Sequence, residues 1–289
     1  MSQQAATALR GGVAVITGAG SGIGEGLARH AAELGMKVVL VDIAKDRIDG
    51  VAAQIRAAGG EALAVPTDVS EPESLDRLAA RTHEHYGDVR LLINNAGIET
   101  LGFAWELSAA AWENTLRVNL HGAIHGVRAF APRMIEAASP AFIANTASIG
   151  GLGIMPLQTS YVLSKHALIS FSECLHLEMQ LKKAPIQVSA ILPGPVTTRI
   201  FTDSQTGEDP VSASHRQAMM TMLKTQGMTA SEAAERILAQ IVAGQFWVST
   251  HPEVTAQFAQ QRAAHLSALA TPSLPAETLS ALGIGRDHP

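Results

Sequence analysis

The chain has 289 residues, 21 basic and 26 acidic, for a formal net charge of −5. Hydrophobic residues make up 47% and charged residues 16%, against about 25% charged in an average domain. That balance excludes a largely disordered chain. A pI near 6.1 with no basic block excludes a typical nucleic-acid binder, and a single cysteine, Cys174, excludes an internal disulfide framework and fits a reducing cytoplasm.

Apolar, strand-like runs alternate with helical spacing along the chain. Val13–Thr17 reads as a short buried strand, and Gly22–Leu34 as a helix stopped at Gly35. Lys37–Asp42 is a second strand, Asp46–Ala58 a helix ended by Gly59 and Gly60, and Glu61–Pro66 a third strand. Ser70-Glu71-Pro72-Glu73 has capping-box form and opens a helix to about Tyr86. Val89–Asn94 is the fourth strand. Ser108 is the expected cap of a helix containing Trp112, and Asn119–Ala137 continues as helix, with a break allowed before it. Pro140–Ala147, Ile186–Leu192 and Phe246–Thr250 complete seven strands, with helices at Thr159–Leu181 and, capped by Ser231, Ser231–Ala243.

Strict alternation of strand and helix predicts an α/β fold, one doubly wound parallel sheet of about seven strands with helices on both faces. Ligands of such sheets bind beyond the carboxyl ends of the strands. One domain spanning 1–289 is expected, its core at 10–250. Arg199–Gly227 breaks the alternation, and a Pro-containing tail at 271–289 is expected to be loosely held. The N-terminal MSQQAATALRGG lacks the apolar run of a signal peptide. The longest uncharged stretch, Ala137–Ser164, carries Pro140, Asn145, Pro156 and Gln158, so no membrane span is expected.

Three groups of residues carry chemistry. Thr17-Gly18-Ala19-Gly20-Ser21-Gly22-Ile23-Gly24 joins the first strand to the first helix. Glycines there let the backbone approach a ligand, and the N–H groups of a helix start attract a pyrophosphate. Asp42 ends the second strand, 18 residues beyond Gly24. A carboxylate at that place accepts from adenosine ribose hydroxyls and repels a 2′-phosphate, so the pair favours NAD over NADP. Ser21, where an arginine could have met a 2′-phosphate, points the same way. Tyr161 and Lys165 stand at i and i+4 of a helix. An ammonium beside a phenol is expected to lower the phenol's pKa, letting it trade a proton with an alcohol or carbonyl. Ser148, 13 residues earlier at a strand end, can donate to the same substrate oxygen.

With these motifs in this order, the chain resembles the short-chain dehydrogenase/reductase family, in its shorter branch, over roughly 12–250. The resemblance rests on Thr17–Gly24, Asp68 after the third strand, Asn94-Asn95-Ala96-Gly97, Asn119, Ser148, Tyr161/Lys165, and the run Pro193–Thr198. It implies a Rossmann-type sheet and a role for each match. Tyr161 is the implied general acid/base, Lys165 its electrostatic partner and ribose ligand, Ser148 the group polarising the substrate oxygen, and Asn119 the holder of a relay water. Asp68 and Val69 are implied to meet adenine. Asn95, Ala96 and Gly97 are implied to line the adenosine and ribose side. Pro193, Gly194, Val196 and Thr198 are implied to hold the nicotinamide end, with the register between Thr197 and Thr198 left open. The resemblance also makes 199–228 a substrate lid, in which Met219, Met220, Met222 and Met228 supply an adaptable apolar wall, and implies a homotetramer or homodimer.

Further pocket candidates are Gly153, Ile154, Met155 and Gln158, with Glu99–Leu101. That mostly apolar set points to a hydrophobic or cyclic alcohol/ketone substrate. His121 and His125 have metal-pair spacing without further ligands, so no metal is expected. His166 is expected to point away from the catalytic set, and Cys174 to be packed. The functional expectation is an NAD-dependent oxidoreductase on a secondary alcohol or ketone. The alternatives are a catalytically silent dinucleotide sensor, which has no use for a phenol–ammonium pair, and lyase or dehalogenase chemistry, which does not need a complete dinucleotide turn.

Overall fold

The computed structural model describes residues 9–274. Seven parallel strands form the central sheet: β1 (Val13–Thr17), β2 (Lys37–Asp42), β3 (Glu61–Pro66), β4 (Val89–Asn94), β6 (Ala141–Thr146), β7 (Ile186–Leu192) and β9 (Trp247–Ser249), in the order β3-β2-β1-β4-β6-β7-β9. The strand order reverses between β1 and β4, which opens a crevice at their carboxyl ends. A two-stranded parallel ribbon, β5 (Thr100–Leu101) with β8 (Gln205–Thr206), lies apart from this sheet and was not foreseen from the sequence.

The pleat sends alternate side chains to opposite faces. Ala14 and Ile16 of β1 pack on one face with Leu27 of α1 (Gly22–Glu33), Ile48 of α2 (Lys45–Ala57) and Ile237 of α8 (Ala230–Val242). Val13 and Val15 pack on the other with Leu78 of α3 (Pro72–Tyr86), Phe130 of α5 (Gly122–Glu136) and Met179 of α6 (Thr159–Lys182). Burial on both faces explains why these strands read as unbroken apolar runs.

Several local expectations need correcting. Ser70 does not cap α3: the cap is Glu71 without a side-chain bond, because the Asp68 carboxylate takes the Ser70 N–H at 2.9 Å. The cap of α8 is Thr229 rather than Ser231, in a reciprocal capping box with Glu232. Ser108 does cap α4 (Ala109–Leu116), accepting from the Ala111 N–H. No break precedes Asn119; α4 runs through a π-helical turn, Arg117–His121, directly into α5. The segment Arg199–Gly227 contains an ordered helix, α7 (Pro210–Gln226). A final helix, α9 (Pro252–Ser267), follows β9 and has no buried residue. Residues 271–274 follow that helix without regular structure, and the rest of the expected tail lies outside the described residues. Cys174 is exposed rather than packed. It falls on the outward stripe of α6 with Leu163, Leu177 and Leu181, which are 46, 57 and 84% exposed.

Among the described residues no helix is long and apolar enough to cross a membrane, and no group of three or more potential metal ligands occurs. His121 and His125 stand with ring centroids 6.2 Å apart.

Candidate active site

The turn after β1 is shaped by its glycines. Gly18 and Gly22 adopt φ of +67° and +54°, which only glycine takes without strain. A Cβ on Gly24 would lie 2.1 Å from the Gly18 carbonyl oxygen and 2.6 Å from Asn95 Nδ2. Gly24→Ala is therefore expected to cost roughly 1–3 kcal/mol of stability and to abolish dinucleotide binding. Thermal melts with and without NADH check this, and a wild-type ligand-induced shift would contradict it.

Thr17 welds this turn to the loop after β4. Its Oγ1 accepts the N–H of Asn95 at 2.8 Å and of Ala96 at 3.0 Å, while Asn95 Nδ2 donates to the Thr17 carbonyl at 2.9 Å. Sequence reasoning gave Thr17 no role; a hydroxyl heading the glycine turn was the signal. Asn94 is a structural residue that donates to Asn145 Oδ1 at 2.9 Å inside the core.

A cavity of about 740 Å³ runs along the carboxyl edge of the sheet. At one end stand Asp42, Asp68 and Val69, joined by Ile43 and Arg47, which sequence reasoning missed. Asp42 takes the Gly20 N–H at 3.0 Å and the Ala44 N–H at 2.9 Å, which fixes its carboxylate beside the glycine turn. Gly18, Ser21, Gly22, Ile23 and Gly24 line the middle, facing Asn95, Ala96 and Gly97. The Ser21 side chain makes no cap hydrogen bond, so the start of α1 keeps N–H groups to offer a ligand. Pro193, Gly194 and Val196 form a further stretch of wall. Thr198 lines the cavity, whereas Thr197 Oγ1 donates to the Leu223 carbonyl at 3.1 Å.

Ser148, Tyr161 and Lys165 converge at the far end. Ser148 follows β6, and its Oγ takes the Gly150 N–H at 3.0 Å. Lys165 Nζ donates to the Thr146 carbonyl at 2.7 Å and stands 5.4 Å from the Tyr161 ring centroid. A Cβ on Gly97 would meet Lys165 Nζ at 3.5 Å and Asn119 Oδ1 at 3.4 Å, so this glycine stands beside both groups.

The expected acidic phenol is not what the protein alone provides. Burial pushes the Tyr161 phenol well above its ordinary value, the nearby Glu99 carboxyl pushes it further, and only the hydrogen bond with Ser148 draws it down. Burial also pushes Lys165 down to about 8, with Glu99 opposing. Desolvation outweighs the attraction between neighbours here.

Asn119 is not part of the cavity wall. It is 1% exposed, its Oδ1 takes the Ile98 N–H at 2.8 Å, and its Nδ2 donates to the Ile98 carbonyl at 2.9 Å and Ser164 Oγ at 3.1 Å. Its side chain thus pins the loop after β4 to the helix that carries Tyr161.

Ile154, Met155 and Gln158 line the cavity with Gly153 and Glu99, whereas Thr100 and Leu101 belong to β5. Of the four methionines, Met219 and Met222 face the cavity; Met220 packs in the cluster around Phe201, and Met228 bridges to Val196. Phe258 and Val254 of α9 add a wall that sequence reasoning missed; Phe258 lies against Gly153, where a Cβ would meet its ring at 2.7 Å. His166 is turned away, its Nε2 2.6 Å from the Gly153 carbonyl.

The cavity's residues fit a nicotinamide dinucleotide: a carboxylate at one end, a helix start between glycines in the middle, and a phenol–lysine pair at the other. The sequence model described as short chain dehydrogenase matches residues 12–209. The chain is 31% identical over 252 residues to a CLA biosynthesis dehydrogenase/reductase from Lactiplantibacillus plantarum, covering 83% of this chain and 88% of that one. A short-chain dehydrogenase/reductase from Burkholderia phymatum, solved in complex with NAD, superimposes with a TM-score of 0.88 at 34% identity, covering 92% of this chain and 98% of that chain. A metagenomic short-chain oxidoreductase solved with NADP gives a TM-score of 0.62 at 33% identity, covering 65% of this chain and 85% of that chain. The chain belongs to the short-chain dehydrogenase family. It is an oxidoreductase of CH–OH groups that works with a nicotinamide dinucleotide.

Proposed function

We propose that the protein is an NAD(H)-dependent enzyme interconverting a secondary alcohol and a ketone on a hydrophobic or cyclic small molecule, in the cytoplasm. The observation that carries this reading is that Ser148, Tyr161 and Lys165 meet at one end of the cavity whose other end is Asp42. Tyr161 exchanges a proton with the substrate oxygen. Ser148 donates to that oxygen and polarises it, so charge developing there meets a fixed donor. Lys165 holds the ribose hydroxyls and keeps a positive charge beside the phenol. Asn119 sets the loop and helix that frame this group. When bound, the oxidised nicotinamide supplies the hydride acceptor and a positive charge that offsets the high phenol pKa. In the oxidative direction the substrate's O–H proton goes to Tyr161 as its carbinol hydrogen leaves as hydride; reduction is the reverse.

NAD is favoured over NADP because the Asp42 carboxylate occupies the ground a 2′-phosphate needs. A screen of cyclic and aromatic secondary alcohols, with NAD and NADP side by side, tests the reading. Expected is reduction of NAD on at least one alcohol, faster than of NADP. Product formation without cofactor reduction points instead to lyase or dehalogenase chemistry, and dinucleotide binding without turnover to a sensor.

The assembly is proposed to be a homodimer or homotetramer. Leu163, Leu177 and Leu181 form an exposed apolar stripe on α6, and Trp247 of β9 is 45% exposed. Contiguous apolar surface of this kind marks an interface. The protein is expected to sediment as two or four chains; a monomer at micromolar concentration contradicts this.

A further inference from the structure

The helix carrying Tyr161 starts from a constrained joint. Leu157 is 3% exposed yet holds φ of +66°, a conformation that a non-glycine residue keeps only when its surroundings impose it. Here its carbonyl accepts the Gly102 N–H at 2.8 Å. The next residue, Gln158, is 6% exposed and lines the cavity three residues ahead of Tyr161.

Gln158 Nε2 lies 3.1 Å from Nε2 of His215, which is 7% exposed on α7. With the amide nitrogen facing the ring, the amide donates and the ring nitrogen accepts, which calls for a neutral imidazole protonated on Nδ1. Burial lowers the pKa of His215 from its ordinary value, consistent with that state. With an amide hydrogen committed to His215, the orientation of the amide is fixed, and its Oε1 remains as an acceptor. Glu99, 2% exposed, brings a carboxyl to the same cavity, its Oε1 taking the N–H of Thr100 at 3.1 Å. Burial pushes the Glu99 carboxyl well above the usual carboxylate range, toward the protonated form that donates, and around Gln158 the wall is apolar, with Ile154, Met155, Met219, Met222 and Phe258. A substrate with no donor beyond its reacting oxygen would leave Gln158 Oε1 without a partner once water is displaced from these apolar groups, an arrangement that binding sites penalise.

Resting on the oxidoreductase reading above, we infer that the substrate is a diol or hydroxyketone on an apolar frame, and that Gln158, oriented by His215, receives its second, unreacting hydroxyl. His215 is a positioning residue that acts through Gln158.

Two measurements on the full chain test this. Nitrogen-15 NMR of the imidazoles at pH 7, assigned with His215→Phe, is expected to show His215 neutral and protonated on Nδ1. A charged ring or the Nε2–H tautomer overturns the inference. Steady-state kinetics with NAD then compare cyclohexanol with trans-1,2-cyclohexanediol, and 1-indanol with 1,2-indanediol. The wild type is expected to favour the diol by about tenfold or more in KM. His215→Phe is expected to erase most of that preference through KM rather than kcat, and His215→Gln, whose Oε1 can accept in place of the ring nitrogen, to restore it. A wild type that does not prefer the diols, or variants that shift alcohol and diol equally, overturns the inference while leaving the oxidoreductase reading intact. No turnover of any pair member with NAD or NADP, with the expected tautomer present, overturns the reading of a hydrophobic or cyclic secondary alcohol as substrate, and this substrate class with it.

Discussion

Tyr161→Phe is expected to lower turnover by about 10²–10⁴-fold, the range for loss of a positioned acid/base, while NADH binding stays within a few-fold of wild type. The ring itself is held by packing. The ring stands beside Gly150, and the Lys165 ammonium lies over its face at 5.4 Å. Phenylalanine keeps those contacts, so the substitution removes the hydroxyl and little else. Stopped-flow turnover paired with NADH fluorescence separates the two quantities; a wild-type rate removes Tyr161 from the mechanism. The pH dependence has a definite sign. Burial and Glu99 hold the phenol above its ordinary range, and only its deprotonated form accepts the alcohol's proton. Oxidation therefore rises with pH, while ketone reduction, which needs the phenol, stays level until the pH nears that raised range. Lys165 loses its charge above about 8, which blunts the rise on the alkaline side.

The central sheet was legible because its inner strands are buried on both faces and most strands are bounded by glycine or a helix start. Lys37–Asp42 and Glu61–Pro66 match the observed bounds residue for residue. The candidate site was legible for a related reason: its residues sit at strand ends and first helical turns, where local motifs fix position. What was hidden depended on contacts distant in sequence. α7 buries only Ser212, His215 and Leu223, and α9 buries nothing, so neither carries an apolar face for periodicity to find. The Ser70 motif was sound locally, but Asp68 took the N–H first. The phenol's pKa could not be read from Tyr161–Lys165 spacing, because desolvation there is set by a cavity that distant elements close. Glu99 approaches from the loop after β4, and Met219 and Met222 from a helix roughly 60 residues beyond Tyr161 in the chain.

Asp42→Asn is expected to weaken NAD binding by about 10- to 100-fold, the equivalent of one or two charge-assisted hydrogen bonds, and to narrow the gap between NAD and NADP from both sides. Asparagine keeps an acceptor for the Ala44 N–H but loses the charge and half the acceptor capacity of the carboxylate. Asp42 also takes the Gly20 N–H, so Asp42→Ala goes further: it releases the glycine turn as well as the ribose contact. The neighbouring arginine sharpens the expectation. Arg47 lines the cavity beside Asp42, with its Cβ 3.0 Å from where a Gly20 Cβ would stand, and pairs with Asp203 at 3.5 Å. Both partners of that pair are well exposed, so its strength is modest. Once the Asp42 charge is gone, Arg47 can turn to a 2′-phosphate at little cost. NADP affinity is thus expected to improve in Asp42→Asn and to fall back in Asp42→Asn/Arg47→Ala. Titrations of NADH and NADPH followed by fluorescence read this without turnover. An unchanged ratio of the two affinities in Asp42→Asn removes the carboxylate from cofactor choice, and an undiminished NADPH gain in the double variant removes Arg47.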